Sequence, residues 1–335
     1  MKPSGPLSTM LGVSALVALV VTLLLTVFAW PVVNTAPNKL PVGLVASGSM
    51  ATRLPQLLER ARPGAFTFTA YGSEDQARQA VLRREVYGAF LLDLAHPTDF
   101  KVLTASAGSP AAAQVIGAVG AQLGTLLSAA GFGAPNVEDV VPTTTDDPRQ
   151  ATLIGSVLPV VISGIIGGLL LGTRLQGSAQ RMLAALLLAL VAGFSMTAVM
   201  QYGFRTLPGS YFSNALVTSL ALAAVVSFVT GLVASLGVRG LGVAGFTLML
   251  VSNPFSALSS APEMLPGVWG AIGQLLPLGA FGHALRSVAF FSGYGASGPL
   301  WVLGGWVLLG LALILLGSRQ RSPASRQVSP AGAIS

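Results

Sequence analysis

The chain has 335 residues, of which 53% are hydrophobic and only 9% are charged, and its mean hydropathy is +0.74. Soluble domains average about 25% charged residues, so this composition excludes an ordinary pair of soluble domains. The net charge of +7 does not indicate a nucleic-acid partner, because the excess of Lys and Arg lies at the ends of apolar runs. The chain has no cysteine, which excludes disulfides, thiolate metal sites and a thiol nucleophile.

The first apolar run covers residues 11–30 (LGVSALVALVVTLLLTVFAW). A cleaved signal peptide is the alternative interpretation. However, the apolar core of a signal peptide is only about 7–15 residues long. This run is longer, and Asn34-Thr35-Ala36 is a poor small-residue cleavage site. We therefore expect residues 1–30 to form an uncleaved N-terminal transmembrane helix.

Residues 31–150 have a different character, with nine Lys and Arg against ten Asp and Glu. Short segments in which apolar and polar residues alternate, as in strands, are interspersed with amphipathic segments that are typical of helices. A capping box formed by Ser73 and Gln76 marks the start of one helix. We expect strands at 41–46, 66–71, 86–92 and 100–104, and helices at 53–62, from 74, and at 109–130. This alternation predicts an α/β domain over residues 31–150, which ends in a polar linker from residue 137.

Long apolar runs dominate residues 151–317 and are separated by short connections. Each is long enough, at ~1.5 Å per residue, to be interpreted as a membrane helix. These runs cover residues 151–173, 182–203, 211–237, 241–257 and 300–316. Together with the first helix they predict a polytopic α-helical membrane protein of six transmembrane helices, with the α/β domain inserted between helices 1 and 2.

The segment at 258–298 is apolar but interrupted by Pro262, Pro266 and Pro277. We expect it to form short helices that lie at the outer surface or re-enter the membrane, since proline ends helices. Residues 318–335, rich in Ser, Pro and Arg, are expected to be a disordered cytoplasmic tail.

The distribution of basic residues predicts the orientation in the bilayer. With the N- and C-termini cytoplasmic, seven basic residues lie inside and only Arg205 and Arg286 lie in outer loops. This topology places the α/β domain outside, as an extracytoplasmic domain. The predicted location is a bacterial plasma membrane.

Catalytic signatures are missing from the sequence. No Gly-Lys pair is available for a phosphate-binding loop, and neither G-x-S-x-G nor H-E-x-x-H occurs. His96 and His283 lack a second ligand at metal spacing. We therefore expect no catalytic residue, metal or cofactor in this chain. The apolar runs also lack the ionisable side chains that ion-coupled carriers usually need, and an intramembrane enzyme fits poorly.

Two small sets of residues in the membrane block have more than one interpretation. Gly164, Gly168 and Gly172 repeat at a spacing of four, which predicts close helix packing within or between chains. Asn214 and Thr218 lie one helical turn apart. They either line a translocation path or form interhelical hydrogen bonds.

Three stretches carry a resemblance to a known family. They are PVGLVASGS at 41–49, SEDQARQAVLRREVYGAFLLD at 73–93, and the segment at 253–293 with Asn253-Pro254 and Leu276-Pro277. Together with the layout, they resemble the permease subunits of type 2 ABC exporters, in particular the phage infection protein-like group.

The resemblance implies a membrane subunit that works as a homodimer or heterodimer of permeases. A separate cytoplasmic ATPase chain would drive export of a lipid, drug or polymer. Arg174, Gln176 and Arg181, in the loop at 173–181, would then face the ATPase. The alternative is a non-transporting receptor or envelope scaffold that acts through the external domain, which the shortness of this loop favours.

Overall fold

The computed structural model describes residues 6–93, 99–128 and 131–320. His96 and residues 321–335 of the predicted tail lie outside the described residues, whereas residues 318–320 belong to the last helix. The strands are β1 Leu40–Ala46, β2 Phe66–Ala70, β3 Gly88–Leu92, β4 Lys101–Thr104 and β5 Asn136–Asp139. The helices are α1 Pro6–Val33, α2 Met50–Ala61, α3 Glu74–Leu82, α4 Pro110–Leu126, α5 Ala151–Gly155, α6 Val157–Arg174, α7 Ser178–Ala198, α8 Tyr211–Leu236, α9 Arg239–Gly245, α10 Trp269–Gln274, α11 Pro277–Phe290 and α12 Ser297–Gln320.

A small mixed sheet lies between α1 and α5, in the order β2-β1-β3-β4-β5. β1 runs parallel to β2 and β3, β3 runs antiparallel to β4, and β4 runs parallel to β5. β3 is buried on both faces, which explains its continuous apolar run GAFLL. Below we call residues 40–150 the sheet domain.

The start of α3 follows the sequence signal closely. Ser73 Oγ accepts a hydrogen bond from the Gln76 backbone N–H at 3.3 Å. In a full capping box the reciprocal bond would reach the Ser73 N–H, but Gln76 Oε1 instead accepts from the Gly72 N–H at 2.9 Å.

The expected linker from residue 137 begins instead with a strand. β5 pairs with β4 from Lys101↔Asn136 to Thr104↔Asp139. This strand is short, carries two acidic residues and occupies the sheet edge, so it lacks the apolar alternation that identifies a half-buried strand.

Among the described residues, five helical segments are long and apolar enough to cross a membrane. They are Leu7–Val33, Ala151–Arg174, Ser178–Gly203, Tyr211–Leu236 and Ser297–Ser318. The α8 helix lies at the centre, where α6, α7, α9, α11 and α12 surround it. In contrast, α1 leaves most of its apolar side chains uncovered. The chain is therefore a helical membrane protein with a small mixed sheet.

The run expected to form a span at 241–257 is shorter in the structure. The helix begins at Arg239 and continues from α9 into a π-helical part, Phe246–Ser252. The whole segment Arg239–Ser252 is only a short apolar helix. At ~1.5 Å per residue it covers about 21 Å, less than the ~30 Å of hydrocarbon.

Residues 253–296, which we call the junction segment, contain a 3-10 turn at Pro262–Met264 followed by α10 and α11. Two backbone hydrogen bonds of 3.0 Å, from Ala36 N to Met264 O and from Asn38 N to Glu263 O, tie it to the approach to the sheet domain. Met264 also packs into the sheet-domain core. The sheet domain and the junction segment therefore lie at the same end of the helical block.

Candidate functional site

A cavity of about 140 Å³ lies where the sheet domain meets the junction segment. Its polar and aromatic lining comes from both sides: Arg84, Glu85, Tyr87, Glu263, His283 and Phe291. We call it the junction cleft. It combines a concave shape with a few converging polar groups, which is the usual character of a ligand site.

Arg84 enters the cleft from the carboxyl end of α3. Its backbone is left-handed, with φ of 61°. The Glu85 N–H bonds to Ala80 O at 2.9 Å and the Arg84 N–H to Val81 O at 3.0 Å, which is the pattern of a Schellman motif. This position usually holds glycine, since a side chain there costs roughly 1–2 kcal/mol. Here the side chain at that position reaches the helices.

The Arg84 guanidinium spans the boundary between the sheet domain and α11. Its Nη1 donates to Ser287 Oγ at 2.6 Å and to His283 O at 3.2 Å. Its central carbon lies 5.0 Å from the centroid of the Phe291 ring. Burial lowers the pKa of Arg84, although Tyr87 and Glu263 act in the opposite direction.

Tyr87 and Glu263 form the opposite polar contact of the cleft. The Tyr87 hydroxyl donates to Glu263 Oε2 at 2.9 Å. Burial, followed by the nearby Glu263 charge, raises the pKa of Tyr87. Tyr87 therefore stays protonated and acts as a donor at neutral pH.

Behind the cleft, Arg286 of α11 joins three separate segments. Its Nε donates to Gln150 Oε1 at 2.7 Å, and its Nη2 donates to Leu258 O. Gln150 in turn donates from Nε2 to Ala107 O at 2.7 Å. Arg286 and Gln150 are only 5% and 3% exposed, so these bonds are shielded from water.

The three glycines of α6 contact the central helix within this chain. A Cβ on Gly168 would lie 2.6 Å from Val229, and one on Gly172 would lie 2.7 Å from Val233. Gly164 faces Val225 in the same way. The glycine spacing therefore matches the spacing of the valines on α8, and the two backbones approach closely.

Asn214 and Thr218 are buried between α7 and α8. Thr218 Oγ1 lies 3.1 Å from Thr197 Oγ1 and donates to Asn214 O. Asn214 Nδ2 donates to Gln201 Oε1 at 3.0 Å and to Pro208 O at 2.8 Å. In this structure both residues make interhelical or local hydrogen bonds, and the pathway role stays a prediction.

Of the three residues expected to dock an ATPase, Arg174 and Gln176 are exposed and Arg181 is buried. Arg181 is 4% exposed, and it donates from Nε to Leu175 O at 2.9 Å and from Nη1 to Ser318 Oγ at 3.3 Å. These bonds tie the loop to the end of α12. The accessible part of the expected docking surface is therefore Arg174 and Gln176.

The junction cleft is the feature that sequence reasoning missed. Arg84 and Ser287 are 203 residues apart, and no local pattern links them. One signal was available, because Glu263 is the only acidic residue after Asp147. An isolated acid and an arginine in an apolar segment suggest a polar junction.

The comparisons with known proteins add no family assignment. No family model, no curated protein and no solved structure matches this chain. In the described part of the chain, no three His, Asp and Glu side chains lie close enough together to hold a metal ion.

Proposed function

We propose that this chain is a permease-like subunit of an export system in a bacterial plasma membrane. It would pair with a second permease subunit, a copy of itself or a related chain, and move a lipid, drug or polymer outward. A separate cytoplasmic ATPase chain would supply the energy, while this chain carries out no catalysis. Its termini would be cytoplasmic and its sheet domain extracytoplasmic.

The observation that carries the proposal is the separation of polar parts to opposite ends of the helical block. The sheet domain and junction segment occupy one end. The α6 helix leads away from the sheet domain and ends at the exposed Arg174, followed by the exposed Gln176. A cationic loop at the far end fits the cytoplasmic side and is accessible to a partner.

Six crossings are compatible with this arrangement if Arg239–Ser252 counts as a short sixth passage. The junction segment follows it and brings the chain back to the sheet domain. With six crossings, α1 and α12 would leave both termini on the same side. Tilt or local thinning of the bilayer accommodates short helices at modest cost.

The packing around α8 supports action with a second subunit. Five helices of the same chain surround α8, and its polar side chains Asn214 and Thr218 contact neighbouring groups. A wide polar path through one bundle would disrupt this core. A path between two subunits would not, and the uncovered apolar surface of α1 leaves room for a neighbour or lipid.

Charge reversal of the exposed loop tests the proposal. We expect Arg174→Glu, alone or with Gln176→Glu, to abolish copurification of an ATPase chain from membranes in mild detergent, read by mass spectrometry. Arg205→Glu is the matched control, because Arg205 is also exposed but lies at the other end of α7. Absence of any ATPase from the unmodified protein would overturn the proposal.

A non-transporting receptor or envelope scaffold is the second candidate. The closed packing of α8 favours it, since the described bundle shows helix contacts where a path would run. Crosslinking distinguishes the two candidates. A homodimer that never associates with an ATPase, and whose sheet domain retains another envelope protein, would support the scaffold.

A further inference from the structure

Donors and acceptors remain unused inside the junction cleft. Arg84 makes its hydrogen bonds through Nη1 alone, so among the described residues its Nε and Nη2 have no partner. Glu263 accepts from Tyr87 at Oε2, while its Oε1 accepts from no described residue. Each group is charged and at least partly buried. Their unused atoms are not fully buried, since the buried side-chain atoms without a partner in the described residues are Thr144 Oγ1 and Asn214 Oδ1. A polar ligand that enters the cleft can therefore reach them.

The charges of the cleft are separated and do not form a direct pair. The ion pairs found in the described residues, at up to 4.0 Å, do not include Arg84 with Glu263. Arg84 contacts α11, whereas Glu263 contacts Tyr87. The cleft therefore presents a cationic side and an anionic side across one cavity.

We propose that the junction cleft binds a small zwitterion, whose oxyanion pairs with Arg84 and whose ammonium group pairs with Glu263. The free Nε and Nη2 of a guanidinium form a planar fork that matches a phosphate or carboxylate. The free carboxylate oxygen of Glu263 is an acceptor for an N–H of an ammonium group. A purely anionic ligand would leave Glu263 Oε1 without a donor, and a purely cationic one would leave Arg84 Nε and Nη2 without an acceptor.

The cavity of about 140 Å³ has room for a compact polar group. Two sources provide this chemistry, a free metabolite such as a phosphorylated amino alcohol and the headgroup of an aminophospholipid. The cleft adjoins the helical block through α11, so a headgroup could approach from the bilayer surface. Binding in the cleft does not depend on export.

Calorimetry on the full-length protein in detergent tests the proposal with three probes. O-phosphoethanolamine carries both charges, glycerol 3-phosphate carries only the anion and ethanolamine only the cation. We expect saturable binding of O-phosphoethanolamine that is roughly tenfold tighter than binding of either partial ligand, as expected when one charge-assisted contact is lost. Equal affinity for all three, or no saturable binding, would overturn the proposal.

Variants assign the two sides of the cleft. Arg84→Gln should lower the affinity for O-phosphoethanolamine roughly tenfold. Glu263→Gln should make the affinity for O-phosphoethanolamine equal to that for glycerol 3-phosphate. Arg83→Gln is the matched control, because Arg83 is adjacent to Arg84 but exposed. This variant should bind O-phosphoethanolamine with the affinity of the unmodified protein. Unchanged affinity in Arg84→Gln would contradict the site. The comparison of ligands on the unmodified protein holds even where a variant folds poorly.

Lipid nanodiscs distinguish the two sources. If a headgroup is the ligand, discs that contain phosphatidylethanolamine should suppress the binding of O-phosphoethanolamine relative to discs of phosphatidylcholine alone. Phosphatidylcholine is the control because its quaternary ammonium has no N–H to donate to Glu263. Equal binding in both discs supports the free metabolite as the ligand.

Discussion

Arg286 Nε donates a 2.7 Å hydrogen bond to Gln150 Oε1, although 136 residues separate the two. Gln150 ends the sheet domain, and Arg286 lies in α11. The same glutamine amide donates to Ala107 O, and the same guanidinium donates to Leu258 O. One buried arginine of the junction segment thus connects the end of the sheet domain with Leu258, near the start of the same segment. Any relative movement of these parts must break these bonds.

Replacing Arg286 should therefore loosen the junction. We expect Arg286→Lys to destabilise the junction by about 1–3 kcal/mol, because the single nitrogen of an ammonium does not reproduce the two separate donor nitrogens of the guanidinium and leaves a buried acceptor unmet. Hydrogen exchange of the α11 amides should become faster. The matched control is Arg205→Lys, whose arginine is exposed. Unchanged exchange in Arg286→Lys would show that the bonds contribute little to the junction.

A methyl group on the face of α6 that contacts α8 should disturb the helical block. The Cβ of Gly168→Ala would lie 2.6 Å from Val229 and 3.0 Å from the backbone nitrogen of Thr230. A backbone neighbour cannot rotate away, so we expect a cost of about 1–3 kcal/mol, as for overpacked cores. Thermal unfolding in detergent measures it.

Gly155→Ala is the control for this prediction. Gly155 precedes α6 in the same span, and a Cβ there meets nothing within 4 Å. That variant should be neutral or slightly stabilising, since alanine favours helix. Equal melting temperatures for the two variants would contradict close packing of α6 on α8.

The elements with a strong local signal could be predicted from the sequence, and the junction could not. The long apolar runs identify α1, α6, α7, α8 and α12, because length and hydropathy are local properties. The cap of α3 at Ser73 is equally local. β5 depends on pairing with β4, and the cleft depends on Arg84 meeting Ser287 across the chain. Contacts over such sequence distances leave no periodic pattern.

The helix at 239–252 shows where hydropathy alone misleads. The apolar composition continues to residue 257, but the structure ends the helix at Ser252, just before Asn253-Pro254. Asn253 keeps helical dihedral angles, with φ of −69° and ψ of −54°, but Pro254 has no N–H with which to continue the helical hydrogen bonds, so the helix ends there. Ser252 Oγ then accepts from the Leu278 N–H at 3.1 Å, near the start of α11. Composition therefore overestimated the length of this helix, because Pro254 ends the helix before the apolar run ends.

The last prediction concerns acid stability at the edge of the sheet, where Arg78 of α3 donates two 2.7 Å hydrogen bonds to Glu138 of β5. These bonds lower the pKa of Glu138 below its usual value of 4.5. Between the folded and unfolded pKa values the unfolded chain binds more protons, so the contribution of this pair is complete above about pH 5. It is lost as the pH falls through the lowered pKa.

We therefore expect the β5 amides to lose protection from hydrogen exchange below about pH 4, after correction for intrinsic exchange rates. In Arg78→Gln the β5 amides should be less protected at pH 7 and should lose less protection in acid. Arg83→Gln is the control and should behave as the unmodified chain, since Arg83 is exposed and has no part in this pair. The effect should be small and should shrink in high salt, because Glu138 is 44% exposed. An acid-induced loss of equal size in Arg78→Gln would assign it to other carboxylates and exclude this pair as the cause.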